Sequence, residues 1–228
     1  MFFSPTYLMY MIPAFILMAL TSWYVKSAYN KWSRVPAQSR LTGTQAAQRL
    51  MSTGGMYGVQ IQGVAGNLTD HYDPRNKTLY LSQGVANVSS VASVAIAAHE
   101  LGHAMQDAED YFPLRFRSAL VPMVNIGSTL GWILIMLGLF LNMLDLAWLG
   151  VIAFAGGAVF ALATLPVELN ASKRARLLLT NAGIIQTQEE QRGVNAVLNA
   201  AALTYVAGLI TAILQLLYFT NLVGGRRR

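Results

Sequence analysis

The 228-residue chain is 54% hydrophobic and only 11% charged, against about 25% charged in ordinary soluble domains. It carries a net charge of +6 and no cysteine, so disulfides, thiolate metal sites and thiol catalysis are excluded. Residues 1–25, 118–167 and 193–225 hold one charged residue among them, Asp145. That distribution excludes a disordered chain or a nucleic-acid-binding domain and indicates a mainly α-helical, multi-pass membrane protein with a smaller polar part.

Residues 7–25 form an apolar run of 19 residues, just long enough to cross a hydrocarbon core of about 30 Å. Lys26, Lys31 and Arg34 follow the run rather than precede it. An uncleaved anchor with its N-terminus outside is therefore expected in place of a signal peptide. Thr42-Gly43-Thr44-Gln45 has the pattern of a capping box. It would open a short helix with Ala46, Ala47, Leu50 and Met51 on one face and Gly54-Gly55 at its end. Tyr57–Val64 and Lys77–Ser82 alternate enough to form strands, separated by a turn-rich stretch containing Asp73-Pro74. The second strand is either an edge able to bind an extended peptide or an ordinary internal strand. Ser89-Ser90 then cap a helix running to Asp107.

Ser118–Val167 is long enough to cross twice, near 119–141 and 146–165, with Asn142 and Asp145 marking a tight turn. The run Gln188-Glu189-Glu190-Gln191-Arg192 reads as a solvated helix face, and a last apolar segment spans 201–222. The expected organisation is an N-terminal transmembrane anchor (1–25), a polar region (26–118), a transmembrane hairpin (119–165), a second polar helical segment (166–200) and a C-terminal transmembrane helix with a basic tail (201–228). With four spans, nine Lys/Arg in 26–118 and four in 166–200 lie on one side against three at the C-terminus. The positive-inside rule then makes both large polar segments cytoplasmic. A last segment that re-entered instead of spanning would bring Arg226–Arg228 to that side as well.

The strongest local signal is His99-Glu100-Leu101-Gly102-His103, an H-E-x-x-H motif that uses two of the three histidines in the chain. On a helix, residues i and i+4 share a face, so both imidazoles reach one Zn²⁺ while Glu100, one residue round, addresses a water there. A catalytic zinc needs a third protein ligand. With no cysteine and one other histidine, a carboxylate is expected, and Glu168 is the candidate; its alternative is an interfacial ion pair with Lys173 or Arg174. Asp107, Glu109 and Asp110 stand too near the motif in sequence to fold back over the metal. Ser172, four residues after Glu168, either hydrogen-bonds a ligand histidine or is a plain packing residue. His71 either donates to the oxyanion of a tetrahedral intermediate or belongs, with Tyr72, to a turn held by Asp73. The apolar run Val91–Ala98 before the motif is eight residues long and cannot span. Glu168 follows directly on a predicted span, so the metal is expected at or just outside the cytoplasmic interface.

Taken in order, Asp70-His71-Tyr72-Asp73-Pro74, Ala97-Ala98-His99-Glu100-Leu101-Gly102-His103-Ala104-Met105-Gln106, Val121-Pro122-Met123-Val124-Asn125-Ile126-Gly127 and Leu165-Pro166-Val167-Glu168-Leu169-Asn170-Ala171-Ser172 resemble the YugP-like neutral zinc metallopeptidases of bacterial membranes. The resemblance covers nearly the whole chain. It implies a gluzincin-like site in which His99, His103 and Glu168 bind Zn²⁺ and Glu100 is the general base. More distantly, the glutamate segment looks like that of membrane-bound CAAX-type and heat-shock zinc proteases, which often have Asp where this chain has Ser172.

The expected protein is thus a mainly α membrane protein with about four transmembrane helices and a small α+β, zincin-like cytoplasmic metallopeptidase domain. Its expected activity is zinc-dependent hydrolysis of peptide bonds in membrane-associated proteins at the cytoplasmic face of a bacterial membrane. Protein or peptide substrate and membrane lipid are the expected partners, and nucleic acid is not. The alternative is a catalytically weak zinc-binding scaffold or chaperone partner. A metal transporter would be expected to carry His or acidic residues within the spans, where Asp145, at a turn, is the one charge.

Overall fold

The computed structural model describes residues 4–227; Met1–Phe3 of the anchor and Arg228 of the basic tail lie outside the described residues. The elements are α1 (Pro5–Trp32), α2 (Gly43–Thr53), β1 (Gln60–Val64), β2 (His71–Asp73), β3 (Thr78–Ser82), α3 (Gln83–Ala86), α4 (Val91–Ala108), α5 (Phe112–Phe140), α6 (Leu144–Asn181) and α7 (Gln188–Gly224). The protein is mostly helical with one small sheet. Four helices, α1, α5, α6 and α7, are long and apolar enough to cross a membrane. Each outruns its apolar stretch: α6 has 38 residues and continues through Pro166, a length of about 57 Å.

The chain folds into two compact units. The first comprises the residues up to Ser22, Phe112–Pro166 and those from Thr204 on. Its large apolar side chains point outward: Phe15 is 63% exposed, Ile126 67% and Ile152 68%. Such surfaces suit lipid rather than water. Inside it, α5 and α6 meet through small residues. A β-carbon on Gly131 would lie 2.8 Å from the Gly150 carbonyl oxygen, and one on Gly138 would clash with the Ala147 backbone, which is how packed transmembrane helices bring their backbones together. The two helices turn at Leu141–Met143, where Asn142 takes φ 55°, a left-handed conformation that Asn tolerates. Arg226 Nη1 donates to the Leu139 carbonyl at 2.6 Å, so the end of α7 closes on the end of α5.

The second unit comprises Trp23–Tyr111 and Val167–Leu203. Its core joins Leu50 of α2, Leu79 and Leu81 of β3, Leu101 of α4, Leu179 of α6, Ile184 of the connection that follows α6, and Leu198 of α7. The capping box at Thr42 and Gln45 forms with both of its hydrogen bonds, and Gly54 ends α2. Helix α4 starts where Ser90 caps the Ser93 N–H and is buried along most of its length. That burial explains its Ala-rich composition, since neighbours approach it from several sides.

One open alternative is decided here and two expectations are corrected. The sheet order is β1-β3-β2, with β1 parallel and β2 antiparallel to β3. The strand Thr78–Ser82 is therefore internal, not an edge. His71 lies in the edge strand β2, not in a turn; three residues are too few to reveal alternation in sequence. Glu190 does not line a solvated face: it is 2% exposed. Its Oε1 accepts from the Gln38 N–H at 2.9 Å, and its Oε2 from the Gln186 and Thr187 N–H groups at 2.9 and 3.0 Å. The Thr187 hydroxyl in turn accepts from the Glu190 N–H at 3.2 Å, a capping box that opens α7.

Candidate metal centre

Two helices of the second unit supply the site. On α4 the imidazoles of His99 and His103 stand one turn apart, ring centroids 5.0 Å and planes 87° from each other. Helix α6 brings in Glu168, 2% exposed. Its Oε2 lies 3.3 Å from His99 Nε2 and 3.4 Å from His103 Nε2. The three donor atoms all fall within 4.8 Å of one another. Zinc takes nitrogen and oxygen donors at about 2.0–2.2 Å in tetrahedral array, which sets donor pairs about 3.3–3.5 Å apart. The two imidazole nitrogens and the carboxylate oxygen therefore fit zinc in chemistry, the two nitrogen–oxygen separations match that spacing, and three such donors would leave a fourth position open.

The surrounding groups hold the rings. Ser172 Oγ lies 3.2 Å from His99 Nδ1, and Gln106 Oε1 lies 3.0 Å from His103 Nδ1. Glu100, next to His99, is 8% exposed. Burial pushes its carboxyl above the ordinary value; the two imidazoles pull it down, and Glu168 and Asp70 add to the rise. Burial works to lower the His103 pKa, but hydrogen bonding to Glu168 and the charges of Glu100 and Glu168 outweigh it and the net shift is upward.

Not every candidate joins this cluster. His71 is exposed; its Nδ1 lies 2.8 Å from the Thr69 carbonyl and its ring stacks on Tyr80 across the β2–β3 pair. A carbonyl only accepts, so Nδ1 carries the proton, and Nε2 is a donor only in the imidazolium form. The Tyr72 hydroxyl donates to Asp107 Oδ2 at 3.0 Å; burial first, then that hydrogen bond, raises its pKa. Arg174, the alternative partner considered for Glu168, instead forks onto Glu109 with two bonds of 2.7 Å.

Three residues near the centre have no reading from sequence motifs. Gln106, fully buried, also donates to the Val167 carbonyl at 2.8 Å and to Asn170 Oδ1 at 2.9 Å. Its place three residues after His103 is the one signal that marks it, since such pairs share a helix face. Asn170 stands only two residues after Glu168, a spacing that does not share a helix face and so gives no such signal. Asp70 accepts from the Ser82 N–H at 2.7 Å and from its hydroxyl, tying the loop before β2 to the end of β3.

The family model described as "Putative neutral zinc metallopeptidase" matches residues 7–224. The Bacillus subtilis (strain 168) protein named "Putative membrane protease YugP" is 43% identical over 195 residues, 86% of this chain and 86% of that one. No solved structure matches. The family implies zinc, which agrees with the donor set formed by His99, His103 and Glu168. A match across all but the two ends, together with that relative, establishes that the chain belongs to the neutral zinc metallopeptidase family.

Proposed function

We propose that this protein is a membrane-embedded zinc metalloendopeptidase that hydrolyses peptide bonds of membrane-associated proteins at the cytoplasmic face. The observation that carries the reading is the convergence of His99, His103 and Glu168 donor atoms within 4.8 Å, beside the buried carboxyl of Glu100. The polar regions 26–118 and 166–200 form the cytoplasmic, zincin-like metallopeptidase part, in which the small sheet accompanies the H-E-x-x-H helix. The cytoplasmic side follows from thirteen Lys/Arg in those regions against three at the C-terminus. The preference for membrane-associated substrates follows from Glu168 standing on the same helix as an apolar span.

His99, His103 and Glu168 would hold zinc, which supplies Lewis acidity toward a carbonyl and lowers the pKa of water. Glu100 accepts a proton as water adds to the scissile carbonyl carbon, and delivers it to the amine nitrogen as the C–N bond breaks. A carboxyl with a raised pKa suits this double duty, because it must both take the proton and give it back. Ser172 orients His99. His71, which does not join that cluster, has no step in the reaction.

Substituting Glu100→Gln tests the reading with β-casein as probe. Hydrolysis is expected to fall by about 10²–10⁴-fold while one zinc per chain is retained. Unchanged proteolysis in that variant would sink the mechanism, and a wild-type protein that binds zinc without cleaving any peptide would favour the scaffold reading.

A further inference from the structure

Gln106 is fully buried inside the second unit, and the orientation of its amide is dictated by neighbours that have no choice of role. An arginine side chain only donates. Arg174 Nε donates at 2.7 Å to the side-chain amide of Asn170, so the Asn170 atom facing it is the oxygen. That Oδ1 and the Val167 backbone carbonyl lie 2.9 and 2.8 Å from one end of the Gln106 amide. Both are acceptors, so that end is the NH₂ group. Gln106 Oε1 is thereby turned toward His103 Nδ1 at 3.0 Å, and an acceptor facing a ring nitrogen requires that nitrogen to carry its proton. In the neutral ring, the form that binds a metal, the unprotonated nitrogen is then Nε2, the atom that lies 3.4 Å from Glu168 Oε2.

We propose that Gln106 is a positioning residue that sets the tautomer of His103, and that the polarity of the chain Arg174 to Asn170 to Gln106 to His103 is what reserves Nε2 for the metal. The inference rests on the zinc reading above and adds to it a source for the ligand's protonation. His99 has no equivalent: its Nδ1 faces the Ser172 hydroxyl, which donates or accepts and so dictates nothing. The same glutamine amide binds the carbonyl of Val167, the residue before Glu168. One side chain therefore fixes a ligand on α4 and the backbone beside a ligand on α6. Arg174 is itself held by the Glu109 fork, so the chain begins at an ion pair on the protein surface.

The test uses the full-length, zinc-loaded protein in detergent with ¹⁵N-labelled histidine; with three histidines in the chain, the ring signals are few enough to assign. In the wild type, His103 is expected to bind zinc through Nε2 and to carry an exchange-protected proton on Nδ1. The variant Gln106→Met, of similar length and unable to accept, is expected to lose that protection and to bind zinc about 10–100-fold more weakly. Gln106→Glu, which still offers an acceptor to His103, is expected to keep the Nδ1 proton protected. Zinc bound through His103 Nδ1, a Gln106→Met protein with wild-type affinity and protection, or a Gln106→Glu protein that loses protection would each overturn the inference. If Gln106→Met does not fold, the wild-type and Gln106→Glu measurements decide it alone. A wild-type protein that takes up no zinc would instead refute the metal reading on which the inference stands.

Discussion

Gly102 and Ala171 approach so closely that a β-carbon on Gly102 would stand 2.5 Å from the Ala171 carbonyl oxygen. This approach lies between the two histidines on α4 and one turn from Glu168 on α6, so it fixes the separation across which the three donor atoms meet. The obstacle is backbone, which cannot swing aside as a side chain would. Gly102→Ala is expected to force the helices apart at a cost of about 1–3 kcal/mol and to weaken zinc binding. Thermal unfolding and competitive zinc titration check it. A variant with wild-type stability and affinity would mean that α6 shifts freely and that the approach does not set the site.

The ligand assignment has its own test. Glu168→Ala removes the carboxylate whose Oε2 lies 3.3 and 3.4 Å from the two imidazoles, and zinc content by elemental analysis is expected to drop well below one per chain. Full occupancy would show that the third ligand lies elsewhere. Ser172→Ala removes only the hydroxyl facing His99 Nδ1; there the expectation is one zinc per chain with affinity lowered about 10-fold.

The candidate donors are legible in the sequence for unequal reasons. The pairing of His99 with His103 is a local property of helical spacing. Glu168 stands out because few carboxylates compete and because it follows an apolar run. By contrast, Asp70 and Gln106 take their meaning from partners 12 and 61 residues away, which no local pattern encodes; Thr187 and Glu190 do carry the local spacing of a capping box, and only the bond to Gln38, 152 residues away, is hidden. The four long apolar helices are legible from composition. Their extension beyond the apolar stretches is not, because helix continuity through Pro166 depends on packing that overrides local propensity.

Glu190 offers a test of the hidden cap. Its two oxygens accept from three backbone N–H groups and from the Thr187 hydroxyl. Glu190→Ala leaves those donors in a buried place without the carboxylate, an expected loss of about 2–4 kcal/mol by thermal or denaturant unfolding. Glu190→Gln, which keeps one accepting oxygen, is expected to lose less. A loss under about 0.5 kcal/mol, ordinary for a surface substitution, would restore the reading as a solvated face.

Asp70 yields a pH dependence. Burial raises its pKa; the hydrogen bonds from Ser82 and the charge of His71 oppose that rise without cancelling it. Tyr29 on α1, His71 beside it and Glu100 on α4 share its electrostatic surroundings. The folded carboxyl holds its proton more tightly than the unfolded one. Its contribution to stability is therefore complete below the ordinary carboxylate range and is lost as pH rises through the raised value. Asp70→Asn retains an oxygen for the Ser82 N–H and cannot titrate. The variant's unfolding temperature is expected to lack the decline with rising pH that the wild type has just above the ordinary carboxylate pKa; parallel profiles would exclude Asp70 as its source.

Orientation in the membrane is open to a clean chemical test because the chain contains no cysteine. The end of α7 closes on the end of α5 through Arg226 and Leu139, so the 141–143 turn and the C-terminus share one end of the first unit. Under the proposed orientation, which rests on thirteen Lys/Arg in regions 26–118 and 166–200 against three at the C-terminus, that shared end is expected outside and Lys173 inside. Single cysteines at Asn142, at Lys173 and appended after Arg228 would be treated with a membrane-impermeant maleimide on intact cells. Labelling is expected at Asn142 and at the C-terminus, with Lys173 reacting only after lysis. The reverse pattern would place the candidate metal centre on the outer face. Labelling at Asn142 without labelling at the C-terminus would mean that α7, despite its 37 residues, does not cross, and that the terminal arginines stand with the other cations inside.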